Sequence, residues 1–189
     1  VPNANKNKGK SFERQLAKHL TSVFGLNFVR VQNSGSFVGG KNSFRLEKLT
    51  NSQQLATTGD LMVPEELGHL TFECKFYKDF SFASLLSENK QLDGWIKQAK
   101  NANKVWFLVV KVNHTEPFIV YNSFTTKIYP ISFLSNTNFA YYKGETVTNL
   151  KGFFEANKEH LLNKELFADI ISSNESKTQF SAVLPLSGN

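Results

Sequence analysis

The run Val105-Trp106-Phe107-Leu108-Val109-Val110-Lys111-Val112 constrains the fold more than any other part of the chain. Apart from Lys111 it is apolar throughout, so it has no face to give to water. A strand of this kind belongs inside a sheet covered on both sides. It predicts a buried central strand, and with it an α/β domain of mixed sheet and flanking helices. The covering helices are legible elsewhere. Phe12, Leu16, Leu20, Val23 and Phe24 form one apolar stripe at helical spacing over residues 12–24. Ser11 suits the N-cap, and Gly25 suits a left-handed stop. Residues 83–102 carry Leu85, Leu86, Leu92, Trp95, Ile96 and Ala99 in a similar pattern, and residues 150–172 predict one or two further helices. Residues 27–32 alternate as a strand, Val29 and Val31 to one side, Phe28, Arg30 and Gln32 to the other. Segments 117–121, 127–133 and 138–148 predict short strands. With 189 residues, 40% of them hydrophobic, one domain with a sizeable core is expected, holding most of the 18 phenylalanines.

Charge divides the chain unevenly. The first fifty residues hold nine basic side chains, Lys6, Lys8, Lys10, Arg14, Lys18, Arg30, Lys41, Arg45 and Lys48, against two acids, Glu13 and Glu47. The whole chain carries +6, so the body beyond is close to neutral. A basic quarter ahead of a neutral body predicts a polyanionic partner. No segment is long and apolar enough to span a bilayer. The single cysteine, Cys74, cannot form an internal disulfide and points to a reducing compartment. The opening Val-Pro-Asn-Ala-Asn-Lys is polar, unlike a signal peptide, so the expected location is cytoplasmic. The four histidines share no metal-ligand spacing.

The chemistry concentrates in Gly59-Asp60-Leu61-Met62-Val63, a turn at Glu65-Glu66-Leu67-Gly68, and Leu70-Thr71-Phe72-Glu73-Cys74-Lys75. Read as a β-hairpin centred between Glu66 and Leu67, it sets Asp60 opposite Glu73. Leu61, Val63, Leu70 and Phe72 then share an apolar face, and Asp60, Glu73 and Lys75 the other. Two adjacent carboxylates repel unless a proton or cation neutralises them. With the backbone carbonyl of Cys74 they make a hard-oxygen set suited to Mg²⁺ or Mn²⁺. Such an ion lowers the pKa of a bound water and stabilises a charged transition state. Lys75 would orient the attacking water or bind the phosphate. Cys74, on the apolar side, reads as core rather than nucleophile. A Glu-x-Lys triplet alone says little, since Glu88-Asn89-Lys90 and Glu175-Ser176-Lys177 repeat it. Only the first sits in a clear strand opposite an aspartate.

Several features surround this hairpin. Gly9-Lys10-Ser11-Phe12-Glu13-Arg14-Gln15-Leu16 opens a basic helix, Gly59-Asp60 and Glu73-Cys74-Lys75 follow, and Gln98 lies in Trp95-Ile96-Lys97-Gln98-Ala99. Together these resemble the PD-(D/E)XK nuclease superfamily. Within it they are most similar to archaeal-type Holliday junction resolvases and their phage relatives. That group also has a Lys-Gly-x-x-Phe-Glu-Arg start and a Ser/Gly-rich segment before the aspartate, here Ser34-Gly35-Ser36. The likeness covers roughly residues 8 to 112. It departs in lacking the motif's proline before Asp60 and in a longer segment from Asn33 to Gly59. It implies a restriction-endonuclease-like sheet, with residues 1–10 a flexible basic arm and 11–112 the nuclease core. Residues 113–172 are then a β/α extension of the same domain, and 173–189 a tail. It also implies a Mg²⁺-dependent (or Mn²⁺-dependent) endodeoxyribonuclease. Asp60 and Glu73 bind metal, Lys75 is catalytic, and Glu13 completes the acidic cluster as a further metal and catalytic residue.

Branched DNA, above all a four-way junction, is the implied substrate, cut by a homodimer in the cytoplasm, the host's if the gene is a phage's. Expected DNA contacts are Lys8, Lys10, Arg14, Arg30, Ser36, Lys41, Arg45, Lys97 and Gln98, with Gln98 also reaching toward the active site. Two other readings stand beside this one: a restriction or repair nuclease of the same fold acting on linear duplex, and a non-catalytic DNA-binding protein. Phe139, Tyr141 and Tyr142 read as core or interface packing, with base stacking as the other use.

Overall fold

A computed structural model of the chain describes residues 4–32, 59–100, 105–122 and 138–168. The elements are α1 (Ala4–Phe24), β1 (Val29–Arg30), β2 (Leu61–Met62), β3 (Leu70–Tyr77), α2 (Lys90–Lys100), β4 (Val105–Val112), β5 (Phe118–Asn122), β6 (Phe139–Tyr142), β7 (Glu145–Asn149) and α3 (Phe153–Leu162). Short 3₁₀ turns cover Glu65–Leu67, Phe82–Leu86 and Lys164–Phe167.

The main sheet has the order β3-β4-β5-β7-β6. β3 and β4 run parallel from Leu70↔Val105 to Tyr77↔Val112, and the remaining pairs are antiparallel. The expected buried strand is β4, with every residue buried except Lys111. Its alternate side chains enter two separate cores. Phe107 and Val109 join Phe72, Tyr121, Phe153 and Phe154 beneath α1 and α3. Leu108 and Val110 meet Leu92, Trp95, Ile96 and Val120 beneath α2. The sheet is thus covered on both faces, as an α/β domain requires. Among the described residues no helix is long and apolar enough to cross a membrane.

The structure corrects several boundaries. α1 does not begin at Ser11: it starts at Ala4, so residues 4–10, expected as an arm, are its first turns. The apolar stripe located only the part of the helix that packs. The expected helix over 83–102 divides into the 3₁₀ turn and α2. Asn89 makes the break, because its Oδ1 accepts from Leu92 N–H at 2.9 Å and caps α2. In the first strand Phe28 and Val31 are buried while Val29 is 45% exposed, so the expected faces of Phe28 and Val29 are exchanged. Segment 138–148 is two strands, joined at Lys143-Gly144 with positive φ at both residues (49° and 86°), the geometry of a tight hairpin turn. The expected strand at 127–133 and the tail at 173–189 lie outside the described residues.

The largest correction concerns the expected hairpin. β2 does not form a ladder with β3. It pairs antiparallel with β1, Val29↔Met62 and Arg30↔Leu61, as a separate ribbon. A ladder to β3 would need both strands to stay in plane. Pro64 brings no N–H to such a ladder, and a 3₁₀ turn over Glu65–Leu67 stands where a hairpin would need a tight turn. The apolar side survives this change: Leu61, Leu70 and Phe72 are buried in one core, with Val63 packed against it.

Candidate active site

Among the described residues β3 is an edge strand, and the site is built along its outer edge. Successive residues of a strand turn their N–H and C=O alternately to the two sides, both groups of one residue to the same side. Phe72 and Cys74 are the outward residues. The Phe72 carbonyl accepts from Asp60 N–H at 2.8 Å. Cys74 N–H donates to Asp60 Oδ2 at 2.8 Å. Asp60 thus fills with its own backbone and carboxylate the places a ladder partner would have taken. The Cys74 carbonyl leaves the strand on that same side.

The approach depends on Gly59. Its φ is +80°, and a Cβ there would stand 2.6 Å from Thr71 Oγ1 and 2.8 Å from the Phe72 carbonyl oxygen. Only glycine accepts both the conformation and the proximity. Gly59 was quoted in the sequence motif, but its reason is tertiary and local patterning does not reveal it.

Asp60 and Glu73 are both buried, at 8% and 7% exposure. Glu73 Oε1 accepts from Lys75 Nζ at 2.7 Å and from Gln98 Nε2 at 2.6 Å. Lys75 Nζ also donates to Gln98 Oε1 at 2.9 Å, closing a three-membered ring of side chains. The expected reach of Gln98 toward the site is therefore present, from the last turns of α2. Burial, then the charge of Asp60, pushes the Glu73 carboxyl up to about 7, although Lys75 pulls the other way. Burial also drives the Cys74 thiol well upward, which fits the inert core role expected of it.

Glu13 arrives from α1. Burial raises its pKa, the charge of Asp60 adds to the rise, and Arg30 and Arg14 oppose it. Its carboxylate is ion-paired with Arg30 Nε. Arg30 was expected to contact DNA. The structure turns it instead onto Glu13, because its register opposite Leu61 sets it beside the acids. That pair was not legible in the sequence. Lys8, another expected DNA contact, lies 5.8 Å from the centre of the Phe76 ring. Lys10, Arg14 and Lys97 are at least partly accessible. Ser36, Lys41 and Arg45 lie outside the described residues.

The donor set can be tested for a cation. Among the described residues no three His, Cys, Asp or Glu side chains form a metal cluster. The Asp60 and Glu73 carboxylates interact directly, and the Cys74 carbonyl leaves the strand on the side that Asp60 occupies. Glu73 is held uncomfortably close to a second acid, which is the condition a hard divalent ion relieves. The residues fit such an ion through Asp60, Glu73 and the Cys74 carbonyl, with Glu13 engaged by Arg30.

A family model described as phage putative PDDEXK endonuclease matches residues 4–163. The chain belongs to that family. No curated protein and no solved structure matches it. The matched span runs from the first residue of α1 to the residue after α3, so it takes in α1, the β1–β2 ribbon, the whole sheet and both other helices. Membership makes the chain a nuclease with DNA as its substrate, in a superfamily that typically uses a divalent metal. The fold is the restriction-endonuclease-like α/β sheet expected from sequence.

Proposed function

We propose that this chain is a metal-dependent, structure-specific endonuclease that hydrolyses phosphodiesters in branched DNA, in the manner of a Holliday junction resolvase. The observation that carries the reading is the outer edge of β3. There two buried carboxylates and an outward carbonyl meet a lysine whose position is fixed by Gln98.

Asp60, Glu73 and the Cys74 carbonyl would hold Mg²⁺ or Mn²⁺. When bound, the ion supplies a water of lowered pKa and a counter-charge for the transition state. The protein's own part is positioning. Lys75 has two of its three N–H donors committed, to Glu73 and Gln98. The third is available to a phosphate oxygen or to the attacking water. Gln98 bonds both Glu73 and Lys75, so it holds acid and base at a fixed separation. Asp60 is held by Cys74 N–H, and its backbone by Phe72, so its carboxylate has little freedom to swing. Arg30 keeps Glu13 from adding a further uncompensated charge.

The preference for branched DNA rests on the Phe12-Glu13-Arg14 segment of α1 and its basic surroundings, which suit binding by charge and shape rather than by base reading. Two symmetric cuts across a junction need two sites, which a two-fold homodimer provides. The deciding experiment compares a four-way junction with linear duplex of the same sequence, with and without Mg²⁺. Paired nicks in the junction, dependent on the ion, are expected. Equal cutting of the linear duplex would refute the branched-DNA reading, and full activity in chelator would refute the metal.

A further inference from the structure

Lys10, Arg14 and Lys18 recur at every fourth residue of α1 and make one cationic ridge. At about 1.5 Å of rise per residue, successive members stand about 6 Å apart along the axis. Lys10 is half-buried and the other two are exposed, and none is in an ion pair with a described residue. Three cations elsewhere on the described surface do sit beside acids: Lys78 with Asp79, Lys100 with Glu145 and Lys143 with Asp93.

The ridge runs against the stability of its own helix. Like charges four residues apart repel. A helix selected for stability alone would not stack three cations in this way. A polyanion lying along the ridge removes the repulsion.

The flank matters as well. Glu13 and Thr21 border the ridge, and both touch the β1 segment, Glu13 through Arg30 and Thr21 Oγ1 by accepting from Phe28 N–H at 3.1 Å. The ridge therefore follows the side of α1 that carries the site. Lys8 falls on the other flank, against Phe76.

We infer that Lys10, Arg14 and Lys18 form a rail for one DNA strand, about one phosphate per helical turn, leading from the active site toward the C-terminal end of α1. The inference rests on the nuclease reading and adds Lys18, the path and its direction. On this account Lys8 is not part of the track.

The test is the salt dependence of binding. The 189-residue chain carrying Asp60→Asn, which is expected to stop cleavage, is titrated with a four-way junction over a series of KCl concentrations without divalent ion. Lys10→Ala, Arg14→Ala and Lys18→Ala are each added to that background, with Lys158→Ala on α3 as control. Each rail variant is expected to lower the slope of log Kobs against log salt by about 0.9, and the triple variant by about 2.7. Lys8→Ala and Lys158→Ala should leave it unchanged. The melting temperature of the free protein should hold or rise in the rail variants, since a repulsion has been removed. A Lys18→Ala slope equal to that of the Lys158→Ala control overturns the rail while the nuclease reading stands. Failure of the Asp60→Asn protein to bind any DNA overturns both.

Discussion

Two corners of the molecule each bring acids and bases together, with opposite outcomes. At the α2 face of the β6–β7 hairpin, each acid has its own lysine. Asp93 meets Lys143 at 2.8 Å, and Glu145 meets Lys100 at 2.6 Å. The Lys143 hydrogen bond holds the Asp93 carboxyl below its ordinary value. Burial still raises Glu145, but Lys100 opposes it directly. At the outer edge of β3 the count does not balance. Glu13, Asp60 and Glu73 crowd together, and Asp60 raises both of the others. Arg30 and Lys75 pair directly with two of the three charges, and Arg14 acts on Glu13 without an ion pair. Charge balance makes the first corner a clamp between helix and sheet. The second is built to remain short of positive charge until something supplies it, which is what a catalytic site needs and a clamp avoids.

The largest expected contrast between them is in catalysis. Asp60→Asn keeps the shape of the residue but removes the charge on which the proposed metal binding depends. DNA cleavage should fall by at least about 10³-fold in a single-turnover nicking assay, the loss expected when a central electrostatic contact is removed. DNA binding should survive. Asp93→Asn, made at the balanced corner, should cleave within about twofold of the parent, given the small worth of exposed ion pairs. Similar losses in the two variants would end the distinction between site and clamp.

Backbone geometry separates the two corners next. Gly59→Ala puts a Cβ against Thr71 Oγ1 and the Phe72 carbonyl at positive φ. Strain and overlap together should cost about 3 kcal/mol in urea unfolding. Gly144, in the turn of the other corner, also has positive φ, but a Cβ there meets nothing within 4 Å. Gly144→Ala should lose only the conformational part, about 1 kcal/mol. Equal losses would mean that the close approach at Gly59 is not what the structure indicates.

Comparing the corners also explains what was legible in the sequence. β4 was readable residue by residue, because an apolar run with one charge has few ways to be satisfied. Asp60, Glu73 and Lys75 were readable as a group, because apolar alternation fixed which side each would leave. The pairing of their strands was misread. Hydrophobic alternation reports which face a strand buries and not which neighbour it bonds, and it cannot distinguish a ladder from an aspartate replacing one. Arg30 on Glu13 was illegible for a related reason. The residues are 17 apart in sequence, and a basic residue in a basic region reads as a DNA contact until its register is known. The clamp residues Asp93 and Glu145 gave no signal, and Tyr142 read only as packing, since each lies in an ordinary helix or strand and acts through a partner some fifty residues away.

The pH dependence of stability offers a finer comparison. Glu73 has a folded pKa of about 7 against an ordinary 4.5. Between these values the native state binds more protons than the unfolded state, so the contribution of Glu73 to stability falls as pH rises through that window. Below about 4.5 the penalty is absent, and above about 7 it is complete, at most about 3 kcal/mol. Glu73→Gln should therefore stabilise the protein at pH 8 and change it little at pH 4, by denaturant titration at both. Mg²⁺ should raise the melting temperature of the parent more at pH 8 than at pH 5, because only the ionised pair attracts it. Asp93 has the opposite sign. Its lowered pKa favours the fold above its ordinary value and is lost only in acid, so Asp93→Asn should not gain stability at pH 8. A Glu73→Gln variant less stable than the parent at pH 8 would show that the Lys75 and Gln98 contacts outweigh the crowding.

The smallest expected effect tests whether the clamp serves the site. Tyr142 is buried, its hydroxyl accepting from Asn89 N–H at 2.8 Å and donating to Asp93 Oδ1 at 2.9 Å. It anchors the start of α2, while Gln98 near the end of α2 bonds Glu73 and Lys75. Tyr142→Phe removes one hydroxyl and leaves the Asn89 N–H without it, a loss of about 1 kcal/mol in urea unfolding. α2 is rigid over its 11 residues and is packed through Leu92, Trp95, Ile96 and Ala99, which hold its far end independently of the hydroxyl. The cleavage rate should therefore change less than about threefold, a barrier change well under 1 kcal/mol. A tenfold fall in rate, in a protein that has lost only this much stability, would show that α2 transmits the position of its first turn to Gln98. The balanced corner would then be part of the machinery of the unbalanced one.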